Sequence, residues 1–336
     1  MKSLLFHLPA PLLYVLAVTV VMFHEPSTVH GRNPVIGGLP EYGIRDCHVA
    51  LSDGLYYMVG TEIPAPGKAK EGISLYVSRN LKNWRKTSVL IDRKDIPQES
   101  WYRDGFDAPE IQKIGGRYVL SFGGRNDAVN PYAVTGIAIA VSDSPEGPYR
   151  VITHTPLVRG NRFTLWEDAG SGEVYAYWER DGNLYGARMD ESLTCFSGEA
   201  VTLAQPRQFR WDDRFLDSPS VVEKDGTIYL FYTVFKGGYY AAYLKLESPL
   251  GPCTPAPDIL FYRSEDQAPT VLRGRYSNKW EFAPPCEIIG NIQIFEGRRG
   301  LWYIAYHSED KYSEPFLCID RVRAIDDGFT CKITLK

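Results

Sequence analysis

Ile44-Arg-Asp-Cys-His-Val-Ala-Leu-Ser-Asp-Gly-Leu-Tyr-Tyr-Met-Val-Gly-Thr61 opens with an acid, Asp46, at the head of an apolar run. Ser52-Asp53-Gly54 then supplies a tight turn. Leu55 to Val59 follows as a short aromatic and β-branched run, the composition of a buried strand. The stretch reads as a hairpin whose first strand starts with a carboxylate.

The pattern returns along the chain. Asp107-Ala-Pro-Glu-Ile-Gln-Lys-Ile-Gly-Gly116-Arg-Tyr118 has it, and so does Asp217-Ser-Pro-Ser-Val-Val-Glu-Lys-Asp-Gly226-Thr-Ile-Tyr229. Weaker copies run from Phe163 to Tyr175 and from Asn291 to Tyr303. The turn glycines Gly54, Gly116, Gly172, Gly226 and Gly300 mark five units of roughly 55 to 75 residues, a multi-strand repeat that indicates a propeller. A third strand follows each hairpin: 72–78, 136–142, 182–189, 238–246 and 316–322. With a fourth strand per unit, the predicted fold is an all-β, five-bladed β-propeller. The competing architecture is a β-sandwich, which five ordered copies disfavour.

Residues 1–31 read as a signal peptide ahead of a propeller spanning 32–336. Lys2 is followed by an apolar run from Leu12 to Phe23, shorter than the ~20 residues of a spanning helix. The expected location is therefore secreted or periplasmic, with no membrane association after the signal is removed. An uncleaved anchor is the alternative. The net charge of −4 offers no basic stripe for nucleic acid. Aromatic content of 13%, with 22 Tyr and 7 Trp, suits propeller blades and a sugar-binding cleft alike. Six cysteines include no Cys-x-x-Cys, so no zinc site is indicated. Cys318 and Cys331, on consecutive C-terminal strands, are the expected disulfide, and buried free thiols are the equal alternative.

Aligned on the turn glycine, Asp46 lies eight residues before Gly54, while Asp107 and Asp217 lie nine before Gly116 and Gly226. The innermost strand of each blade runs beside the axis, so residues at its start converge on one mouth of the channel. Three carboxylates converging there suit glycosidic cleavage, in which one carboxyl protonates the leaving oxygen and another activates water or attacks the sugar. Crowding like charges drives their pKa values apart and so assigns the acid and the base.

These segments resemble glycoside hydrolase family 43 and its relatives, families 32, 62 and 117. Arg45-Asp46 with Asp53 to Tyr57 is similar to the first-blade segment, which implies that Asp46 is the general base. Ala108-Pro109-Glu110-Ile111, Val141 to Tyr149, Tyr303 to His307 and Ile319 to Val322 resemble further blade segments. Asp217-Ser-Pro219 resembles the fourth-blade segment, which implies that Asp217 is the general acid, although the family places a Glu there. The family's third-blade Asp falls near Arg162 or Phe163, where no carboxylate stands. Asp107 is expected to fill that role, with Glu110 and Glu287 as further candidates for it or for the acid.

Around the mouth, His48 shares a strand face with Asp46 and is read as a sugar ligand or a core histidine. Trp101, Trp166, Trp211 and Trp280 could stack on a sugar face, with one or two of them expected in the cleft. Arg125 could clamp an acidic sugar. The resemblance permits a cation, such as calcium, held in the channel by His307, and no cofactor is required. The function expected is an exported glycosidase acting by inversion on plant or algal poly- or oligosaccharides, with carbohydrate as the expected partner and the oligomeric state left open. A retaining enzyme with Asp46 as nucleophile and a non-catalytic sugar-binding propeller are the alternatives. Fold does not choose among them.

Overall fold

The computed structural model describes residues 33–35, 37–129, 135–160, 162–208, 214–235, 239–255, 261–262, 288–309, 315–325 and 328–332. The chain divides at Gly31. The propeller's described strands all lie in the unit Gly31–Lys336, while the predicted export segment lies outside the described residues, as do Trp211, Trp280 and Glu287.

Five sheets, antiparallel but for one added strand in the fifth, follow one another in chain order. Blade 1 holds β1 (Ile44–Ser52), β2 (Leu55–Glu62), β3 (Gly72–Ser78) and β4 (Trp84–Asp92). Blade 2 holds β5 (Asp104–Ile114), β6 (Arg117–Arg125), β7 (Gly136–Ser142) and β8 (Arg150–Val151). Blade 3 holds β9 (Phe163–Glu167), β10 (Val174–Arg180), β11 (Asn183–Arg188) and β12 (Val201–Ala204). Blade 4 holds β13 (Leu216–Lys224), β14 (Thr227–Phe235), β15 (Tyr239–Leu246) and β16 (Cys253–Pro255). Blade 5 adds β17 (Phe261–Tyr262), parallel to its last strand, to β18 (Ile288–Glu296), β19 (Trp302–Glu309), β20 (Phe316–Ile325) and β21 (Gly328–Lys332). The five-bladed propeller read from the repeat is the fold.

The first hairpins of blades 1 and 4 turn on Asp-Gly. Asp53 and Gly54 have φ of 49° and 71°, and Asp225 and Gly226 have 52° and 76°. This is the double positive-φ turn whose twist matches the flanking strands, and Asp-Gly is among the pairs that tolerate it.

Each seam between blades is filled by one apolar cluster. Blades 1 and 2 share Val59, Leu75, Phe106 and Phe122. Blades 2 and 3 share Ile139, Leu165, Trp178 and Leu193. Trp178 is fully buried and stacks on Phe196 at 5.0 Å and 9°. Truncating an aromatic of this kind typically costs about 3–5 kcal/mol. The remaining clusters close blade 3 on 4, 4 on 5 and 5 on 1. The ring is also tied at its ends. Asn33 donates to Asp320 at 3.0 Å and accepts from the Ile319 N–H, while Val35 pairs with Leu317.

Two expectations from the sequence are corrected. Cys331 pairs with Val322, four residues along β20 from Cys318. That is roughly 13 Å of strand, beyond the ~7 Å that a disulfide spans, so Cys318 and Cys331 are not bridged. The register of the acids also shifts by one. Bulges interrupt β1 between Arg45 and His48, β5 between Asp107 and Glu110, β13 between Asp217 and Ser220, and β18 between Gly290 and Gln293. Counted eight residues from the turn glycine, Asp46 matches Ala108 and Ser218, not Asp107 and Asp217. These three and Asn291 share a left-handed backbone, with φ of 54°, 43°, 53° and 46°. That conformation is costly for a residue with a side chain. Its recurrence, even at an alanine, shows that the bulge belongs to the blade.

Candidate active site

The bulges re-aim the strand start toward one mouth of the channel, as bulges beside active sites commonly do. Asp46 is almost wholly buried there. Thr61 on β2 donates to its Oδ2 at 3.0 Å and accepts from the Ala108 N–H at 2.7 Å, so one hydroxyl joins the bulges of blades 1 and 2. The Asp46 N–H donates to Nδ1 of His307 on β19 at 3.4 Å. Arg162, at the entry to β9, places a guanidinium nitrogen 3.1 Å from Oδ1, and Nε of Arg45 lies 3.6 Å from Oδ2. Burial alone would raise the Asp46 carboxyl. Arg162, His307, Arg45 and the Thr61 hydroxyl outweigh it and hold the group down to about 2. Asp46 is therefore an anion at any physiological pH.

Arg162 also reaches Asp217, whose Oδ1 lies 3.7 Å from Nε. Asp217 is part-exposed, and its own carboxylate accepts from the Ser218 N–H at 2.7 Å. One guanidinium spanning both side chains keeps their nearest oxygens within roughly 9 Å, no farther apart than the upper end of about 9.5 Å used in glycoside hydrolysis. Arg162 stands where the third blade would present a carboxylate. Its register is fixed by Thr164, which pairs with Tyr177 on β10 as His48 pairs with Val59 on β2.

Asp107 lies elsewhere on the rim. Its carboxylate is held by Lys70, through a short ion pair, and by Arg125 at 3.1 Å. Arg125 also pairs with Asp127 at 2.7 Å. Asp107 is thus committed to two cations, and Arg125 to two carboxylates.

A second tier lies two residues beyond the bulges, in the channel. His48 Nε2 is 3.0 Å from the Gln293 amide and 3.5 Å from Glu110 Oε2. Gln293 is fixed in turn by the Val49 N–H and carbonyl, at 2.7 and 2.9 Å. Burial pushes Glu110 up to about 8, against a hydrogen bond with Thr164 and the charge of Arg162. Burial pulls His48 down to about 3. Both are neutral near pH 7, which lowers the cost of burying them.

Of the four tryptophans expected at the cleft, the two among the described residues are occupied by packing. Trp101 meets Tyr102 edge-on at 5.5 Å and lies against Gly136. Trp166 lies four residues beyond Arg162, at the far end of β9, with its ring against Tyr175 at 6.2 Å. His307 is buried and pulled down to about 4 by that burial, with Asp46 opposing. Its Nδ1 already accepts from Asp46. Among the described residues no group of three His, Cys, Asp or Glu side chains could hold a metal, whereas calcium takes six to eight oxygens. The described residues alone do not make such a site.

Sequence reasoning missed Glu179 at the end of β10. Burial raises its carboxyl, and the neighbouring charges of Asp217 and Asp181 raise it further. Its position on a middle strand carried no repeat signal.

The model of the glycosyl hydrolases family 43 matches residues 32–330. Among solved structures, a thermostable family-43 glycoside hydrolase is 22% identical with a TM-score of 0.69, over 89% of this chain and 95% of that one. An endo-1,4-beta-xylanase from Bacteroides thetaiotaomicron is 22% identical at a TM-score of 0.67, over 86% and 94%. An endo-arabinase from the same organism is 18% identical at 0.66, over 87% and 99%. At these identities the likeness is one of fold. No curated protein matches.

Proposed function

The chain belongs to glycosyl hydrolases family 43, and from that premise we propose that it is an exported enzyme cleaving plant polysaccharides or their oligosaccharides by inversion. The pentose polymers arabinan and xylan are the first candidates, since an arabinase and a xylanase share its fold. The apolar run at Leu12 to Phe23 supports export.

The observation that carries the mechanism is the placing of Asp46 and Asp217 on one guanidinium. Asp46 is the base. Held ionised and oriented by Thr61, it takes a proton from the water that attacks the anomeric carbon. Asp217, part-exposed beside Nε of the same guanidinium, gives its proton to the leaving oxygen.

Two variants test the assignment on arabino- and xylo-oligosaccharides and on activated aryl arabinosides and xylosides. Asp46→Asn is nearly isosteric and should lower turnover by about 10² or more on every substrate, while calorimetry still detects oligosaccharide binding. Asp217→Ala should cripple the oligosaccharides but spare aryl glycosides, whose departure needs no proton. Undiminished turnover in Asp46→Asn rejects the base. Equal loss on both substrate types in Asp217→Ala rejects the acid.

A further inference from the structure

Asp107 is the last residue paired ahead of the blade 2 bulge, opposite Gly123, as Asp217 is ahead of the blade 4 bulge, opposite Thr233. The next residue, Ala108, gives its N–H to the Thr61 hydroxyl that holds Asp46. Asp107 thus stands one residue beyond a two-bond chain from the base. Blades 2 and 4 are not neighbours in a ring of five, so Asp107 and Asp217 approach the mouth from different sides. With Asp217 on the side of the leaving group, the Asp107 side is left to the glycone, the sugar whose anomeric carbon is attacked.

The Asp107 carboxylate is fixed but not used up. Lys70, from the loop between β2 and β3, meets Oδ1, and Arg125 meets Oδ2 at 3.1 Å. Arg125 is steadied by Asp127 at 2.7 Å. The Asp127 N–H donates to Asp104 at 3.0 Å, and Asp104 accepts from Nε of Arg93 at 2.9 Å. An ammonium has three donors, a guanidinium five and a carboxylate about four acceptor sites, so all three groups keep capacity beyond these bonds. The side chains of Lys70 and Arg125 are 22% and 32% exposed, and that of Asp107 is 13% exposed. Solvent therefore reaches a cluster whose atoms are held in place. A sugar hydroxyl both donates and accepts, and an anion beside two cations answers both needs. Lys70 and Arg125 are already balanced by Asp107 and Asp127. An acidic sugar would bring a third carboxylate to two cations, so the cluster suits a neutral one.

We propose that Lys70, Asp107 and Arg125 form a subsite that reads one ring hydroxyl of a neutral glycone, with Asp107 as the specificity-determining residue. The inference rests on the reading of this mouth as a glycosidase site. A site built to hydrogen-bond a substrate hydroxyl discriminates against the analogue that lacks it, because its own polar groups are then left unpaired.

The test uses the full chain and activated aryl arabinosides and xylosides, whose only sugar is the glycone, together with their monodeoxy analogues. In the parent, loss of the hydroxyl that is read should lower kcat/KM by about 10- to 10²-fold, the worth of a hydrogen bond to a charged group. In Asp107→Ala the ratio of intact to deoxy substrate should fall toward one at that position and stay unchanged at the others. Lys70→Met, which keeps the pair of Asp107 with Arg125, should lower the same ratio in part. A ratio of rates does not depend on how much of a variant folds, nor on which residue is the acid. Ratios that neither variant moves overturn the subsite, and so does a preference for an aryl glucuronide over the aryl xyloside. If the parent cleaves no glycoside, the enzymatic reading fails separately, and calorimetry with arabinotriose and xylotriose decides the subsite. Binding that weakens at least about tenfold in Asp107→Ala supports it. Binding that is unchanged, or missing in the parent, overturns it.

Discussion

Arg162 holds on blade 3 the register position that Asp46 holds on blade 1, and the two side chains meet across the channel mouth at 3.1 Å. A cation in a ring of strand starts makes the site a carboxylate pair clamped about a guanidinium. Of the groups that lower the Asp46 carboxyl, Arg162 is the strongest.

Arg162→Gln removes that charge at similar length. Asp46 then moves up toward the ordinary carboxylate range. A base works only when ionised, so the acid limb of kcat/KM should shift to higher pH by on the order of one unit. Stability follows the same linkage. The depressed Asp46 group contributes stability that is complete above its unfolded value of 3.8 and is lost as pH falls through about 2. At neutral pH the variant should forfeit up to about 2 kcal/mol of it. An acid limb that stays in place would refute the clamp.

Glu110 gives the opposite sign. Its folded carboxyl stands at about 8 against an ordinary value of 4.5, so the folded chain binds the extra proton between these values. Stability should therefore be greatest below about pH 4.5 as far as this group is concerned, and should decline as pH rises through about 8. Glu110→Gln keeps the shape and a partner for Thr164 but cannot ionise. Its melting temperature should gain on the parent between pH 5 and pH 9 by several degrees. A difference that does not vary with pH would mean that Glu110 is ionised in the channel.

Much of this was legible in the chain. The turn glycines and the apolar runs between them carried the blades, because a hairpin's turn and its period-2 pattern are local properties. The place of Asp46 near the start of β1 was legible for the same reason. The bulge was not, since two residues opposing one is a property of the pairing and leaves no mark in a single strand. It displaced Asp107 and Asp217 by one position from Asp46. The role of Arg162 was hidden as well, because its partners come from blades 1 and 4. Trp166 misled because its type suits a sugar face, while its place on β9 is at the end away from the mouth.

Gly290 and His307 offer the sharpest test of how the base is held. They are paired on β18 and β19, and a Cβ on Gly290 would lie 2.7 Å from the imidazole. The ring of His307 fills the space that a side chain would need, and it accepts the Asp46 N–H from there. Gly290→Ala should push the imidazole aside, costing about 1–3 kcal/mol as overpacking does and loosening the Asp46 backbone at its left-handed turn. Turnover should fall with it, while KM for the oligosaccharides changes little. His307→Ala alone loses the acceptor and leaves a void. In the double variant the new methyl has room, so Gly290→Ala should cost far less stability in that background than in the parent. The double-mutant cycle reads this difference directly. Additive losses in melting temperature would show that the glycine is not there to admit the histidine.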